Sequence, residues 1–269
     1  MGTLKGPIQF TGSVGEIRCY YDRALKRWII STKGGQSKEL IMKNPAFALQ
    51  RDNMNEFKVC SHWASQLQMS LINLSHLHKG YYFPKIVKLG KTINKHDLIN
   101  EHGIRSLESS KASRLLLDIN FNTFYPFNEV LSLPSTVLFS EDKKTVTLKL
   151  LGLISRYHIK WFESYPSFRI TMVIAQVSDY VWNKKGRIYK PVIENAVMRS
   201  ETSYSKWLAS GTDPQDVILE ASFAEPAFQI PGTTVIVAMG IEFSKTKVAP
   251  DTTGTNGEGT MKIVECFVD

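Results

Sequence analysis

Long apolar runs, paired cysteines and enzyme signature motifs are all missing from this 269-residue sequence. No segment approaches the roughly 18 consecutive apolar residues of a membrane-spanning helix, so we expect no membrane span. The first ten residues contain no apolar signal core, which favours a cytoplasmic protein. Export by a route that needs no N-terminal signal, or incorporation in a particle, stays open. Cys19, Cys60 and Cys266 are widely spaced without a CxxC motif, which argues against a disulfide framework and a cysteine-rich zinc site.

Catalytic motifs of the GxSxG and HExxH kinds are also missing. Gly12 and Gly15, in "FTGSVGEIRCYY", look at first like a phosphate-binding loop, but such a loop must lead into a helix and a strand-like segment follows here. His76 and His78 have no third metal ligand close in sequence. A triad assembled from distant residues stays open. The sequence therefore predicts no cofactor, no metal and no enzymatic activity.

Acidic residues are scarce in the first part of the chain. Residues 1–118 contain 18 Lys and Arg against 9 Asp and Glu, a net charge of +9, whereas residues 119–269 contain 15 against 16, a net charge of −1. The overall charge of +8 therefore comes from the N-terminal part. Such a distribution suits an anionic partner such as nucleic acid, although a solvated helix surface has the same appearance.

Strand and turn signals open the chain. Apolar and polar side chains alternate over residues 16–21, and "WIIST" at 28–32 is rich in β-forming residues. Gly12 and Gly15 are expected to supply the positive φ values of tight turns. We therefore predict a β-hairpin or three-stranded ribbon over residues 1–43.

A helical region is predicted over residues 44–117. Asn44 is a favourable N-cap and Pro45 suits the first helical position. A second, basic helix is expected from Pro84, and a third helical segment has Ser106 as its expected cap. The first helix should reach about Leu77, and its apolar face recurs at spacings of three and four residues: Met54, Phe57, Cys60, Ala64, Leu67, Leu71 and Leu74.

The apolar period changes to two after about residue 118. "TVTLKL", "VILEASF" and "TTVIVAMGIEF" each place apolar residues on one face, whereas "FRITMVIAQV" is apolar on both faces and predicts a central strand. Seven to nine strands with intervening turn signals predict an antiparallel β-sandwich, Ig-like or related, over residues 118–269. The predicted fold class is α+β.

The first 60 residues resemble a group of uncharacterised proteins from Bacteroidota. In that group a Gly-bounded hairpin is followed by a Lys-Gly-Gly step and a helix that Pro initiates. The resemblance implies a bacterial source and an N-terminal design attached to a variable β-rich part, and it transfers no functional residue. The matching residues are Gly12, Val14, Gly15, Lys33, Gly34, Gly35, Ser37, Lys38, Asn44, Pro45, Ala46, Phe47, Arg51, Asn53, Glu56 and Phe57.

Two classes of function follow from these patterns. The first is a non-enzymatic structural or interaction protein that forms a homo-oligomer or larger assembly through its N-terminal hairpin and long helix. The expected interface residues on the helix are Met54, Phe57, Leu67, Leu71 and Leu74. The alternative is a protein that binds nucleic acid or another polyanion through its basic N-terminal region. The expected contacts for that alternative are Arg23, Lys26, Arg27, Lys85, Lys88 and Lys91.

Overall fold

The structure is a computed structural model that describes residues 2–3, 6, 10–23, 26–32, 34–193, 199–228, 231–245 and 258–269. It combines helices with several antiparallel sheets and begins with a hairpin-based sheet, as the sequence predicts. The Ig-like sandwich stays a prediction. Two compact units divide the chain, Met1–Arg51 and Asp52–Asp269. The expected boundary near residue 118 falls inside the second unit.

The N-terminal unit contains a four-stranded antiparallel sheet in the order β1-β4-β3-β2. Gly12 and Gly15 have φ values of 132° and 56°, so both adopt the positive φ that the sequence predicts. Gly15 makes the tight turn between β2 and β3. The strands are β1 Gly2–Thr3, β2 Gly12–Val14, β3 Ile17–Asp22 and β4 Arg27–Thr32.

Short helical segments follow this sheet. Helix α1 spans Lys38–Lys43, and the Ser37 side chain caps it by accepting from the Leu40 amide. The Asn44 side chain accepts from the Ala46 amide at 2.9 Å and caps the 3₁₀ turn Pro45–Phe47, which confirms its expected role as a cap.

The predicted long helix is divided into three pieces rather than continuous. After the 3₁₀ turn, helix α2 spans Ala48–Ser70 and a second 3₁₀ segment spans Ile72–Leu77. Helix α3 spans Phe83–Asn94, with Pro84 in its first turn as expected. The third helical segment begins later than predicted, because the Ser106 amide donates to Asp97 and Ser106 caps nothing; the 3₁₀ segment spans Ser109–Asp118.

The described residues of the second unit form ten further strands, all paired antiparallel, with one short helix before the first of them and another between β6 and β7. A central sheet has the order β10-β7-β13-β14, with β11 also pairing with β7, and a second sheet has the order β12-β6-β5. Strands β8 and β9 form a hairpin. The bounds are α4 Phe127–Val130, β5 Thr136–Phe139, β6 Thr145–Leu153, α5 Ser155–His158, β7 Ser167–Ser178, β8 Tyr180–Asn183, β9 Ile188–Pro191, β10 Ser200–Tyr204, β11 Leu208–Ala209, β12 Gln215–Ser222, β13 Thr233–Ser244 and β14 Gly259–Val268.

Both faces of the central sheet are covered, which is why β7 and β13 are buried along their whole length. One core contains side chains of the helices together with Val173 and Ile236 of these strands. A second core contains Met172 and Val237 of the same strands together with apolar residues of the β12-β6-β5 sheet. The alternation of period two therefore sends successive side chains into different cores. No helix among the described residues has the length and apolar character to cross a membrane.

Candidate functional site

Six large apolar side chains are exposed in the described part of the N-terminal unit. Among its described residues, Cys19 and Ile29 are the only buried apolar ones. Val14 and Ile17 face each other across the β2–β3 pair and are 66% and 43% exposed. The remaining exposed members are Tyr21, Leu40, Met42 and Leu49. The unit thus presents apolar surface that its own residues do not cover.

Strand β2 is an open edge of the N-terminal sheet. It pairs with β3 on one side, and no described strand pairs with its other side. All three of its residues, Gly12 to Val14, are exposed. Unpaired backbone N–H and C=O groups on such an edge are able to accept another strand.

The expected helix interface separates into two parts. Leu67, Leu71 and Leu74 are fully buried in the core that this chain forms with its own central sheet, so no partner can contact them without opening that core. Met54 and Phe57 are 50% and 63% exposed and remain available. The physical reason is a shift of the buried face, which in the first half of α2 runs through Glu56, Val59, Cys60 and Trp63 instead.

The expected polyanion contacts lie on both units. Arg23, Lys26 and Arg27 are exposed in and beside the β3–β4 turn, and Lys85 and Lys88 are exposed on α3. Within the described part of the chain, none of these five forms an ion pair with a carboxylate. The sixth expected contact, Lys91, is already engaged by a buried glutamate.

That glutamate is Glu56, which is fully buried on α2. Lys91 Nζ donates to Glu56 Oε2, the Gly103 amide donates to Oε1 at 2.9 Å, and His102 Nε2 lies 3.4 Å from Oε2. Arg105 Nε is 3.9 Å from Oε1. Burial raises the pKa of Glu56, but the hydrogen bonds from Lys91 and Gly103 outweigh it, so the pKa lies below its ordinary value. This network fastens the loop after α3 to α2.

A second buried carboxylate, Glu242, lies on β13. Arg169 Nη2 donates to Glu242 Oε2 at 2.8 Å and Thr171 Oγ1 donates to Oε1 at 2.7 Å, both from β7. His76 Nε2 lies 3.2 Å from Oε2. Burial alone would raise the pKa of Glu242, yet these partners lower it to about 2. Arg169 also stacks over the rings of Tyr204 and Trp207, which keeps the charged pair enclosed.

Sequence reasoning missed both networks. Glu242 and Arg169 are each the one charged residue in a mainly apolar strand, "TTVIVAMGIEFS" and "SFRITMVIAQVS", and that coincidence is the signal by which sequence reasoning could have paired them. Glu56 gave no comparable signal, because no sequence pattern predicts that the chain between Glu56 and its partners Lys91 and Gly103 folds back to bring them together.

The two histidines considered for a metal site have other partners. His76 faces Glu242, whereas His78 stacks on Phe121 at 5.2 Å between ring centroids and contacts the Tyr82 hydroxyl at 3.0 Å. Burial lowers the pKa of His78 to about 4. The described residues contain no group of three or more His, Cys, Asp or Glu that could hold a metal ion.

No protein-family model matches the chain, and a search of curated proteins finds no significant match.

Proposed function

We propose that the protein is a non-enzymatic structural or interaction protein that self-associates through its N-terminal unit. The main support is how little apolar surface that unit buries. Among its described residues only two apolar side chains, Cys19 and Ile29, are buried, whereas six large ones are exposed. A unit of about 50 residues with so small a core is marginal by itself, because little apolar surface leaves water when it folds. Contact with another copy would supply the missing burial.

The open edge of β2 supports a second copy as the partner. An antiparallel strand pair is related by a two-fold axis when both strands are the same segment, so β2 of one copy pairs with β2 of another and the contact closes on itself. The same axis brings the Val14 and Ile17 patches of the two copies near each other. Backbone hydrogen bonds and apolar burial would then act together.

On the second unit, Met54 and Phe57 are the part of the expected helix interface that stays within this proposal. They lie three residues apart on α2, so their side chains share one face of the helix. Leu67, Leu71 and Leu74 are no longer proposed as interface residues, because they are buried in the core of their own chain.

The absence of enzymatic activity is part of the same proposal. The buried carboxylates Glu56 and Glu242 are both held by cations, and burial raises the pKa of the Cys60 and Cys266 thiols to about 12. A thiol with such a pKa is a poor nucleophile at neutral pH, since the thiolate is the reactive form. These contacts support structural roles for the groups that a catalytic site would use.

A cytoplasmic location accompanies this proposal. Cys19, Cys60 and Cys266 are all free, as is usual for proteins of a reducing compartment.

Polyanion binding remains the alternative function. Its support is the exposure of Arg23, Lys26, Arg27, Lys85 and Lys88, none of which pairs with a described carboxylate. Cations that are not neutralised within the chain are available to phosphates, and such binding weakens steeply as salt rises.

Light scattering after size-exclusion chromatography tests the first proposal. We expect a mass that is a multiple of the 30.5 kDa chain, and electron microscopy should show whether larger particles form. Ile17→Lys places a charge in the exposed patch beside β2 and should reduce the mass to that of one chain. Ile218→Lys is the matched control, because Ile218 is also an exposed apolar residue of a β-strand but belongs to the β12-β6-β5 sheet.

A monomer at micromolar concentration would refute self-association of the unmodified protein. Equal dissociation by Ile17→Lys and Ile218→Lys would refute the N-terminal unit as the interface. Far-ultraviolet circular dichroism of both variants shows that a loss of mass reflects dissociation and not unfolding.

A further inference from the structure

A small cleft in the second unit separates the part of helix α2 after Arg51 from the β8–β9 hairpin. Its volume is about 150 Å³. Asn55, Lys58 and His62 line one wall, and their spacings of three and four residues place them on one face of α2. Trp182, Arg187 and Tyr189 of the hairpin line the other wall. Neither the helix interface nor the basic residues discussed above include these side chains.

The polar groups of this cleft are cationic or neutral donors. Lys58, His62 and Arg187 all face it, and none of the three has an ion-pair partner among the described carboxylates. The Asn55 side chain has no hydrogen-bond partner in the described part of the chain either. Glu56, next to Asn55 in sequence, is buried and held by Lys91, so it does not neutralise the cleft. The cleft therefore presents two cations without a carboxylate partner and further N–H donors from Asn55 and His62, which suits an anion.

Fixed contacts hold the hairpin wall in place. The Tyr189 hydroxyl donates to the Gly103 carbonyl at 3.3 Å, and the Gly103 amide donates to Glu56, so the hairpin is connected back to α2 through the buried carboxylate. Trp182 packs edge-on against Tyr189 with 4.9 Å between ring centroids. Asn183 Oδ1 accepts from the Gly186 amide at 2.8 Å and fixes the turn that precedes Arg187. A site that is formed before its ligand arrives loses less entropy on binding.

We infer that this cleft binds the phosphate group of a small phosphate monoester. A phosphate monoester carries about 1.5 to 2 negative charges near neutral pH, which matches the two permanent cations Lys58 and Arg187. The arginine guanidinium has the planar fork of donors that recognises phosphate oxygens in pairs.

The size and the rim of the cleft agree with this ligand class. A volume of about 150 Å³ suits a phosphate head group and excludes a duplex. Trp182 and Tyr189 provide apolar surface beside the cations, where the organic part of the ester would lie. The inference is independent of self-association, because every group named here belongs to one chain.

Isothermal titration calorimetry on the full chain tests this site with four probes. Adenosine 5′-monophosphate and inorganic phosphate should bind saturably, and adenosine should not, because it lacks the anion. An oligonucleotide without a terminal phosphate represents polyanion binding and should not compete with adenosine 5′-monophosphate. Saturable binding of adenosine with equal affinity, or competition by the oligonucleotide, would overturn the inference.

Substitutions locate the binding. Arg187→Gln should weaken adenosine 5′-monophosphate about tenfold, which corresponds to about 1.4 kcal/mol. Lys58→Gln should act in the same direction. Lys88→Gln is the matched control, since Lys88 is an exposed cation of the same unit outside the cleft, and its variant should bind as the unmodified protein does. No saturable heat, an unchanged affinity in Arg187→Gln, or an equal loss in Lys88→Gln would each overturn the assignment.

Discussion

Replacement of Arg169 by methionine tests whether the charges inside the central sheet act as a unit. The substitution keeps the apolar stem and removes the guanidinium, which donates to Glu242 at 2.8 Å. Glu242 then stays fully buried and keeps its contacts with Thr171 at 2.7 Å and His76 at 3.2 Å, neither of which is a permanent cation. The substitution therefore leaves the buried Glu242 carboxylate without its arginine counterion, at a place that water does not reach.

The expected loss of stability is large. Removal of one partner of a buried ion pair typically costs about 3–5 kcal/mol, because the other charge is left without its counterion. For a unit of this size, each kcal/mol lowers the melting temperature by about 2–4 °C, so we expect Arg169→Met to melt roughly 6–20 °C lower at pH 7. The free energy of unfolding from urea titration should fall without a change in the denaturant slope.

The pH dependence has a definite sign. The pKa of Glu242 is about 2 in the folded chain against an ordinary value of 4.5, so its contribution is fully present above pH 4.5 and is lost as the pH falls toward 2. That contribution is roughly 3 kcal/mol at 1.36 kcal/mol per pH unit. Without Arg169 the pKa of Glu242 in the folded chain rises toward its ordinary value, so acid removes less stability from the variant than from the unmodified protein. The stability difference between the two proteins should therefore narrow between pH 5 and pH 2.

Arg199→Met is the control for this experiment. Arg199 Nη2 lies 3.1 Å from Glu225 Oε2, but the Glu225 side chain is 64% exposed, so this pair is worth under about 1 kcal/mol. Equal destabilisation by the two substitutions, or a difference that does not narrow in acid, would refute the assignment of the stability to the buried Glu242 pair.

Three further predictions concern the core, the hairpin and the exposed cations. The double change Leu67→Asp with Leu71→Asp should unfold or aggregate the chain, because both leucines are fully buried among its own residues; a soluble monomer with unchanged circular dichroism would contradict this. Gly15→Val should destabilise the N-terminal unit by about 1–2 kcal/mol in urea titration, because a β-branched residue is strained at the φ of 56° found there. No neighbouring atom lies within 4 Å of the added Cβ, so the cost is conformational and not steric. Gly15→Asn is the control and should cost less in the same titration. If the alternative function holds, Lys85→Gln with Lys88→Gln should lower the salt dependence of nucleic-acid binding in gel-shift titrations by about one unit of slope per lysine, and no shift at low salt would remove that alternative.

Local sequence patterns predicted the turns, one helix cap and the strands of this fold. The glycines of "TGSVG" predicted the positive φ at Gly12 and Gly15, and Asn44 predicted a cap, because these effects depend on a few neighbouring atoms. Alternation with period two predicted the strands, and the doubly apolar segment "FRITMVIAQV" predicted that β7 is central. Such signals survive in a single sequence because backbone geometry and side-chain direction repeat over short distances.

What covers the apolar face of α2 was decided only by the tertiary structure. The spacing that includes Leu67 and Leu71 suits a neighbouring helix or a second copy as well as a sheet of the same chain, because apolar burial stabilises a side chain whichever apolar partner covers it. The partners of Glu56 and Glu242 were equally undetermined, because Lys91 is 35 residues away from the first and Arg169 is 73 residues away from the second. The same holds for the cleft of Lys58 and Arg187, which exists because the fold brings a helix face against a distant hairpin.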